Sequence, residues 1–204
     1  MIIGIVNYDL SNIFCVCSAV NYLGFKHKII NKPEDLKNVD KIILPGVGAF
    51  GDAINNLKKK QLFEALSHSV INQNKIFLGI CLGAQLICKS STEFGFHEGF
   101  GWINAKVKKI KSKDKSFRIP HTGWDNFSVK KDCSLLTNIE KDSLFYFTHS
   151  YGVFCEDNVN IVANCNYSEV FSVIINHENI FGVQFHPEKS QKKGLELIKN
   201  FAHL

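Results

Sequence analysis

Four short apolar runs, Ile2–Val6, Lys28–Ile30, Lys41–Leu44 and Ile76–Ile80, recur through the first 80 residues with helical patterns between them. Runs without polar alternation belong to strands covered on both faces, and strands alternating with helices belong to a parallel sheet. Ser11 is placed to cap a helix that runs to about Leu23 and is closed by Gly24, and a second helix is expected over about Ala53–Ser69, with Ile54, Leu57, Leu62, Ala65 and Leu66 on its inner side. From about Ala105 the pattern changes: Ala105–Ile110, Leu144–Thr148, Ile161–Asn164, Val170–Ile175 and Ile180–Phe185 read as short strands joined by turns, before a last helix over about Gln191–Ala202. The expected fold is an α/β, open mixed but mainly parallel sheet flanked by helices, with a β-rich extension in the second half, all within one domain spanning residues 1–204.

Composition narrows the classes of function. The apolar N-terminus has no basic leader, and no apolar run is long enough to cross a membrane, so the expected setting is cytoplasmic. Seven cysteines at positions 15, 17, 81, 88, 133, 155 and 165, with no paired CxxC units, read as reduced thiols; neither metal nor cofactor is called for. The net charge of +5 is mild, and the basic stretch Lys106–Lys115 reads as a solvated hairpin rather than a nucleic-acid surface, since few aromatics interleave it.

One thiol is placed differently from the rest. Gly79-Ile80-Cys81-Leu82-Gly83 carries an apolar strand straight into a helix-like segment expected over Leu82–Lys89, and flanking glycines permit the sharp turn that pushes a nucleophile out of a sheet. The helix N-terminus favours the thiolate. About a hundred residues later, His186-Pro187-Glu188 offers a base and its orienting acid. Proline holds the preceding residue extended, so side chains two apart face one side. A nucleophilic Cys81–His186–Glu188 site follows as the expectation. Acyl transfer also needs donors for an oxyanion. The candidates are the N–H of Leu82, next to the nucleophile, and that of Val47 within Pro45-Gly46-Val47-Gly48. Gln85 lies one helical turn beyond Cys81 and can share its face.

Four segments then carry a resemblance: Pro45-Gly46-Val47-Gly48-Ala49-Phe50, Gly79–Gln85, Tyr146-Phe147-Thr148-His149-Ser150-Tyr151 and Gly182-Val183-Gln184-Phe185-His186-Pro187-Glu188-Lys189-Ser190. Together they resemble class I (triad) glutamine amidotransferases, a flavodoxin-like fold. With Ile119-Pro120-His121-x-Gly123-Trp124 and Glu98-Gly99-x-Gly101 they are similar, more narrowly, to the glutaminase subunits of imidazole glycerol phosphate synthases of histidine biosynthesis. The resemblance implies that Cys81 attacks the glutamine side-chain amide, forming a γ-glutamyl thioester that water hydrolyses. It implies that Gly46, Gly48, Gln85, Thr148, His149, Ser150 and Tyr151 hold the substrate. It implies a heterodimer with a separate (β/α)8-barrel cyclase subunit that receives ammonia through a channel, with Asn12, Trp124 and Lys189 at or near the contact; Trp124 fits the core as well. Three residues depart from the family pattern: Ser11 stands at a usual Gly, Asp125 at a usual Asn and Ala84 at a frequent Met. They leave open a paralogue that supplies ammonia to a sugar-modifying amidotransferase of surface-polysaccharide synthesis. An inactive homologue and a cysteine peptidase on a related scaffold are further alternatives, disfavoured by the intact triad and by the His-Pro-Glu and Thr-His-Ser-Tyr segments.

Overall fold

The structure is a computed structural model that describes residues 1–112 and 117–204. Its first half runs β1 (Ile2–Val6), α1 (Ile13–Tyr22), β2 (Lys26–Ile30), β3 (Lys41–Gly46), α2 (Phe50–Lys59), α3 (Leu62–Ser67), β4 (Ile76–Cys81) and α4 (Leu82–Leu86). The second half holds β5 (Cys88–Ser91), β6 (His97–Glu98), β7 (Ile103–Lys109), β8 (His121–Asp125), β9 (Ser128–Val129), β10 (Phe145–His149), β11 (Tyr151–Cys155), β12 (Ile161–Tyr167), β13 (Glu169–His177), β14 (Ile180–Val183) and α5 (Gln191–His203). The large sheet follows the order β2-β1-β3-β4-β14-β13-β11-β7-β5-β6, with β12 on β13 and β9 on β12, while β8 and β10 form a separate antiparallel pair.

Strands β2, β1, β3, β4 and β14 are parallel neighbours, and antiparallel pairing begins at β13. The expected mixed, mainly parallel sheet with a β-rich extension is therefore the observed one. Alternation across the sheet builds two cores. Ile43 packs into one with Val16 and Val20 of α1 and Leu197 and Phe201 of α5, and Ile42 and Leu44 pack into the other with Leu57, Leu62, Leu66 and Leu86. The same register sets Gly46 beside Cys81 and Val183 beside Ile80, so three strand ends finish together. Ligands of open α/β sheets bind beyond such carboxyl ends.

Several expected boundaries shift. Ser11 does not cap α1; Asn12 is its N-cap and makes no side-chain capping bond. The single helix expected over Ala53–Ser69 is broken at Gln61, whose φ of 59° is left-handed, into α2 and α3. The helix expected over Leu82–Lys89 stops at Leu86, because the chain turns to pair β5 with β7. That pairing, and the strands β8 and β11, rest on partners far away in sequence. The basic stretch Lys106–Lys115 begins within β7, which pairs with β11; its residues 113–116 lie outside the described residues. No helix among the described residues is long and apolar enough to cross a membrane, and all seven cysteines are free thiols.

Candidate active site

Cys81 ends β4 with φ 54° and ψ −109°, a conformation that a non-glycine residue holds only where its surroundings enforce it. The enforcing contact is local. A Cβ at Gly83 would collide with the Leu44 carbonyl, so only glycine lets α4 start this close to β3. The first N–H groups of α4, Leu82 among them, have no partner within the helix and face the thiol end. Five residues make only a small dipole, so the main stabiliser of a thiolate here is another charge.

That charge is His186. Its Nδ1 lies 2.8 Å from Glu188 Oε1, and both side chains are 2% exposed. Its Nε2 is buried without a hydrogen-bond partner. Burial works to lower the imidazole pKa, but the neighbouring Cys81 charge, reinforced by the Glu188 carboxylate, outweighs it and pushes the value up to about 10. Cys81 and His186 thus meet in one cavity, with the Glu188 carboxylate behind the ring. Backbone contacts hold the ring in place. His186 N–H donates to the Tyr146 carbonyl at 2.9 Å, while the Ser190 hydroxyl donates to the His186 carbonyl at 2.6 Å and accepts from Tyr146 N–H at 3.0 Å.

A cavity of about 270 Å³, the scale of a single amino acid, opens over the thiol. Val47, Gly48, Leu82, Gln85 and the Thr148–Tyr151 segment all line it, together with Cys81 and His186. A larger cavity of about 690 Å³, lined by Val129, Cys133, Asn176 and Phe181 among others, has a thiol but no imidazole to serve as base. Gly46 is adjacent to the smaller cavity rather than in its lining; a Cβ there would strike the Tyr8 hydroxyl.

Three expected residues are found in more specific situations than their positions alone suggest. Val47 N–H already donates to the Leu10 carbonyl at 2.9 Å, so it is not free to meet an oxyanion. Gln85 spends its amide N–H groups on the Tyr151 carbonyl and Gln184 Oε1, both at 3.0 Å, leaving its oxygen as the free acceptor. Both ring nitrogens of His149 are occupied, Nδ1 by the Tyr151 carbonyl at 2.8 Å and Nε2 by His121 Nδ1 at 3.2 Å. Burial foremost, with the nearby His121 and His186, lowers its pKa to about 3 despite the Tyr151 bond, so it is a neutral brace.

The site also recruits residues that the sequence did not single out. Gln184, 1% exposed, donates from Nε2 to the Cys81 sulfur at 3.8 Å while its oxygen accepts from Gln85. Glu93 lines the cavity and accepts from Phe50 N–H at 2.8 Å, capping α2 from a distance. Gln184 lies inside the quoted His-Pro-Glu segment, so its place was visible there; Glu93 sits in no pattern.

On the surface beside His186, Trp124 is 45% exposed and meets Tyr146 edge-on at 6.0 Å, with Lys189 Nζ 6.0 Å over the same ring. Two of the three expected contact residues thus share one patch. Asn12 is half-buried at the start of α1.

The class-I glutamine amidotransferase family model matches residues 5–204. A Leptospira borgpetersenii protein named imidazole glycerol phosphate synthase subunit HisH is 42% identical over 204 residues, covering 99% of this chain and all of that one. Subunit HisH 2 of Methanococcus maripaludis is 43% identical, covering 98% of each, and a subunit HisH 1 of Campylobacter jejuni is 41% identical, covering 99% and 100%. Among solved structures, that of a glutamine amidotransferase aligns with a TM-score of 0.78 at 16% identity over 98% of this chain and 97% of that one. The Thermotoga maritima PurLQS structure aligns at 0.73 and 19% identity, over 99% and 97%.

Proposed function

The chain belongs to the class-I glutamine amidotransferase family, and on that premise we propose that it is the glutaminase subunit of an imidazole glycerol phosphate synthase, its 204 residues forming one catalytic domain. The observation that carries the chemistry is the buried pairing of Cys81 with His186 and Glu188 at the mouth of an amino-acid-sized cavity.

In this reading the Cys81 thiolate attacks the glutamine side-chain carbonyl carbon. His186 gives the Nε2 proton to the departing nitrogen, and ammonia leaves. Water, deprotonated by the same imidazole, then cleaves the thioester to glutamate, expelling the Cys81 thiolate beside the reprotonated ring and restoring the starting state. Leu82 N–H, and Val47 N–H once released from Leu10, stabilise the oxyanion. Glu93 and the Gln85 oxygen supply acceptors for the α-ammonium, and the backbone along Thr148–Tyr151 receives the carboxylate. A separate (β/α)8-barrel subunit takes the ammonia, docking over Asn12, Trp124 and Lys189 as a heterodimer.

The test is Cys81→Ala in the reconstituted pair. Glutamine-dependent synthesis of imidazole glycerol phosphate should vanish, while synthesis from ammonium salts continues, because free ammonia bypasses the thioester. Loss of both activities would refute the assignment of Cys81 to this step alone.

A second reading has its own support. The Methanococcus and Campylobacter relatives carry numerals in their names, and Ser11, Ala84 and Asp125 depart from the pattern of the histidine-pathway subunits. A paralogue would keep the glutaminase and deliver ammonia to a sugar-modifying amidotransferase. Growth of a histidine auxotroph supplied with this chain and its own barrel subunit supports the first reading, and failure the second.

A further inference from the structure

Behind the substrate-lining segment lies a second cluster that the glutaminase chemistry does not use. His121 and Asp125, four apart on β8, present Nε2 and Oδ2 at 3.3 Å. Cys165 Sγ of β12 lies 3.6 Å from the same carboxylate oxygen, and all three ligand atoms fall within 4.8 Å of one another. His121 and Cys165 are 3% and 2% exposed, while the Asp125 side chain, at 34%, keeps a path to solvent.

The hydrogen bonds around His121 direct its Nε2 at the carboxylate. The Tyr151 carbonyl can only accept, so His149 Nδ1 carries its hydrogen. Among the described residues no carboxylate pairs with the buried His149 ring, which stays neutral, and its Nε2 therefore accepts from His121 Nδ1–H. His121 is left pointing Nε2 at a carboxylate. A lone pair facing an anion needs either a proton or a metal ion between them. The 3.3 Å gap is long for an imidazolium–carboxylate bond, about 2.7–2.9 Å. That gap and the 3.6 Å from Asp125 to Cys165 fit the roughly 3.3–3.6 Å edges of a tetrahedron whose metal–ligand bonds are about 2.0–2.3 Å. The third edge, His121 to Cys165, lies within 4.8 Å and would close on the ion.

We propose that His121 Nε2, Asp125 and Cys165 Sγ form a binding site for a divalent transition metal of the zinc class, with water as the fourth ligand. Imidazole, carboxylate and thiolate together suit that class and not magnesium or calcium. His121 already has the supporting arrangement of a metal-bound histidine, with its other nitrogen donating to a second residue. Its ring is also clamped between Tyr167 at 3.9 Å and Phe147 at 4.7 Å. On binding, the metal replaces the Cys165 thiol proton, which leaves to solvent past Asp125, and no electron changes hands. The bound ion would staple the β8–β10 pair to β12 of the large sheet, holding the strand that leads into Ser150 and Tyr151. The site stands apart from the glutaminase reading.

Cobalt(II) is the probe, because a thiolate ligand produces a charge-transfer absorption that zinc lacks. The full chain carrying Cys81→Ala removes the competing thiol. It should bind one cobalt with that absorption, and zinc should raise its Tm. Adding Cys165→Ser should abolish the absorption and weaken binding at least about tenfold. Adding Asp125→Asn should weaken binding by a similar factor while keeping the absorption. Absence of stoichiometric cobalt binding overturns the proposal, as does an absorption that survives Cys165→Ser or an affinity indifferent to Asp125→Asn. If the Cys165→Ser chain does not fold, the Asp125→Asn affinity decides.

Discussion

His186 sits under two opposed influences, burial lowering its pKa and the Cys81 and Glu188 charges raising it, and the charges prevail at about 10. The sign of the pH dependence follows. A group whose pKa is raised on folding contributes stability that is whole below its ordinary value of about 6.5 and is lost as pH climbs through about 10. The protonated ring that serves the leaving ammonia is lost over the same range, so glutaminase activity should fall as pH rises through about 10. In Cys81→Ala the largest favourable charge is gone, and the His186 titration midpoint followed by NMR should drop; an unchanged midpoint would separate the two residues. Gln184 gives a second residue-scale prediction. Its bond to the sulfur and its grip on Gln85 both vanish in Gln184→Leu, and hydrogen bonds to charged groups are worth about 1.5–3 kcal/mol. Glutaminase kcat/KM and the alkylation rate of Cys81 should both fall, by roughly 10- to 100-fold for kcat/KM.

At the scale of elements, the site depends on how closely β3, β4 and α4 approach. The Cβ of Gly83→Ala would land on the Leu44 carbonyl, a backbone atom that cannot rotate away. The elbow would have to open, at a cost of about 1–3 kcal/mol or more, and denaturant midpoints should fall accordingly. Activity should fall with them, since the strained Cys81 conformation relies on that approach. The Gly-Ile-Cys-Leu-Gly elbow was readable because it needs particular residues next to one another. The short α4 was not, since its end is dictated by the pairing of β5 with β7 rather than by a local breaker. Gln61 in its left-handed turn likewise splits α2 from α3 with no glycine or proline to announce it.

For the whole molecule, Val47 N–H is held by the Leu10 carbonyl, and on the proposed role of Val47 as an oxyanion donor that bond must open before full activity. Losing one oxyanion donor costs on the order of 10²–10³-fold in rate. The purified chain should therefore hydrolyse glutamine slower than its complex with the barrel subunit by about that factor, measured as glutamate release. Equal rates would mean that the Val47–Leu10 bond is no restraint. The Trp124–Tyr146–Lys189 patch lies beside His186, and in the proposed complex it is the contact through which the barrel subunit would act on that bond.

Hydrophobic patterning and turn chemistry are local, and they sufficed for the alternating first half and the nucleophile elbow. His186 and Glu188 do meet, but through the 3-10 turn Pro187–Lys189 rather than along the extended chain expected from Pro187. Long-range pairing is a different matter. The register that aligns Gly46, Cys81 and Val183, the capture of Val47 by Leu10, the recruitment of Gln184 and Glu93, and the meeting of His121 and Asp125 with Cys165 join residues up to about a hundred positions apart. Such meetings exist once the sheet has closed and its cores have packed, because only then do strand ends and buried polar atoms find their neighbours.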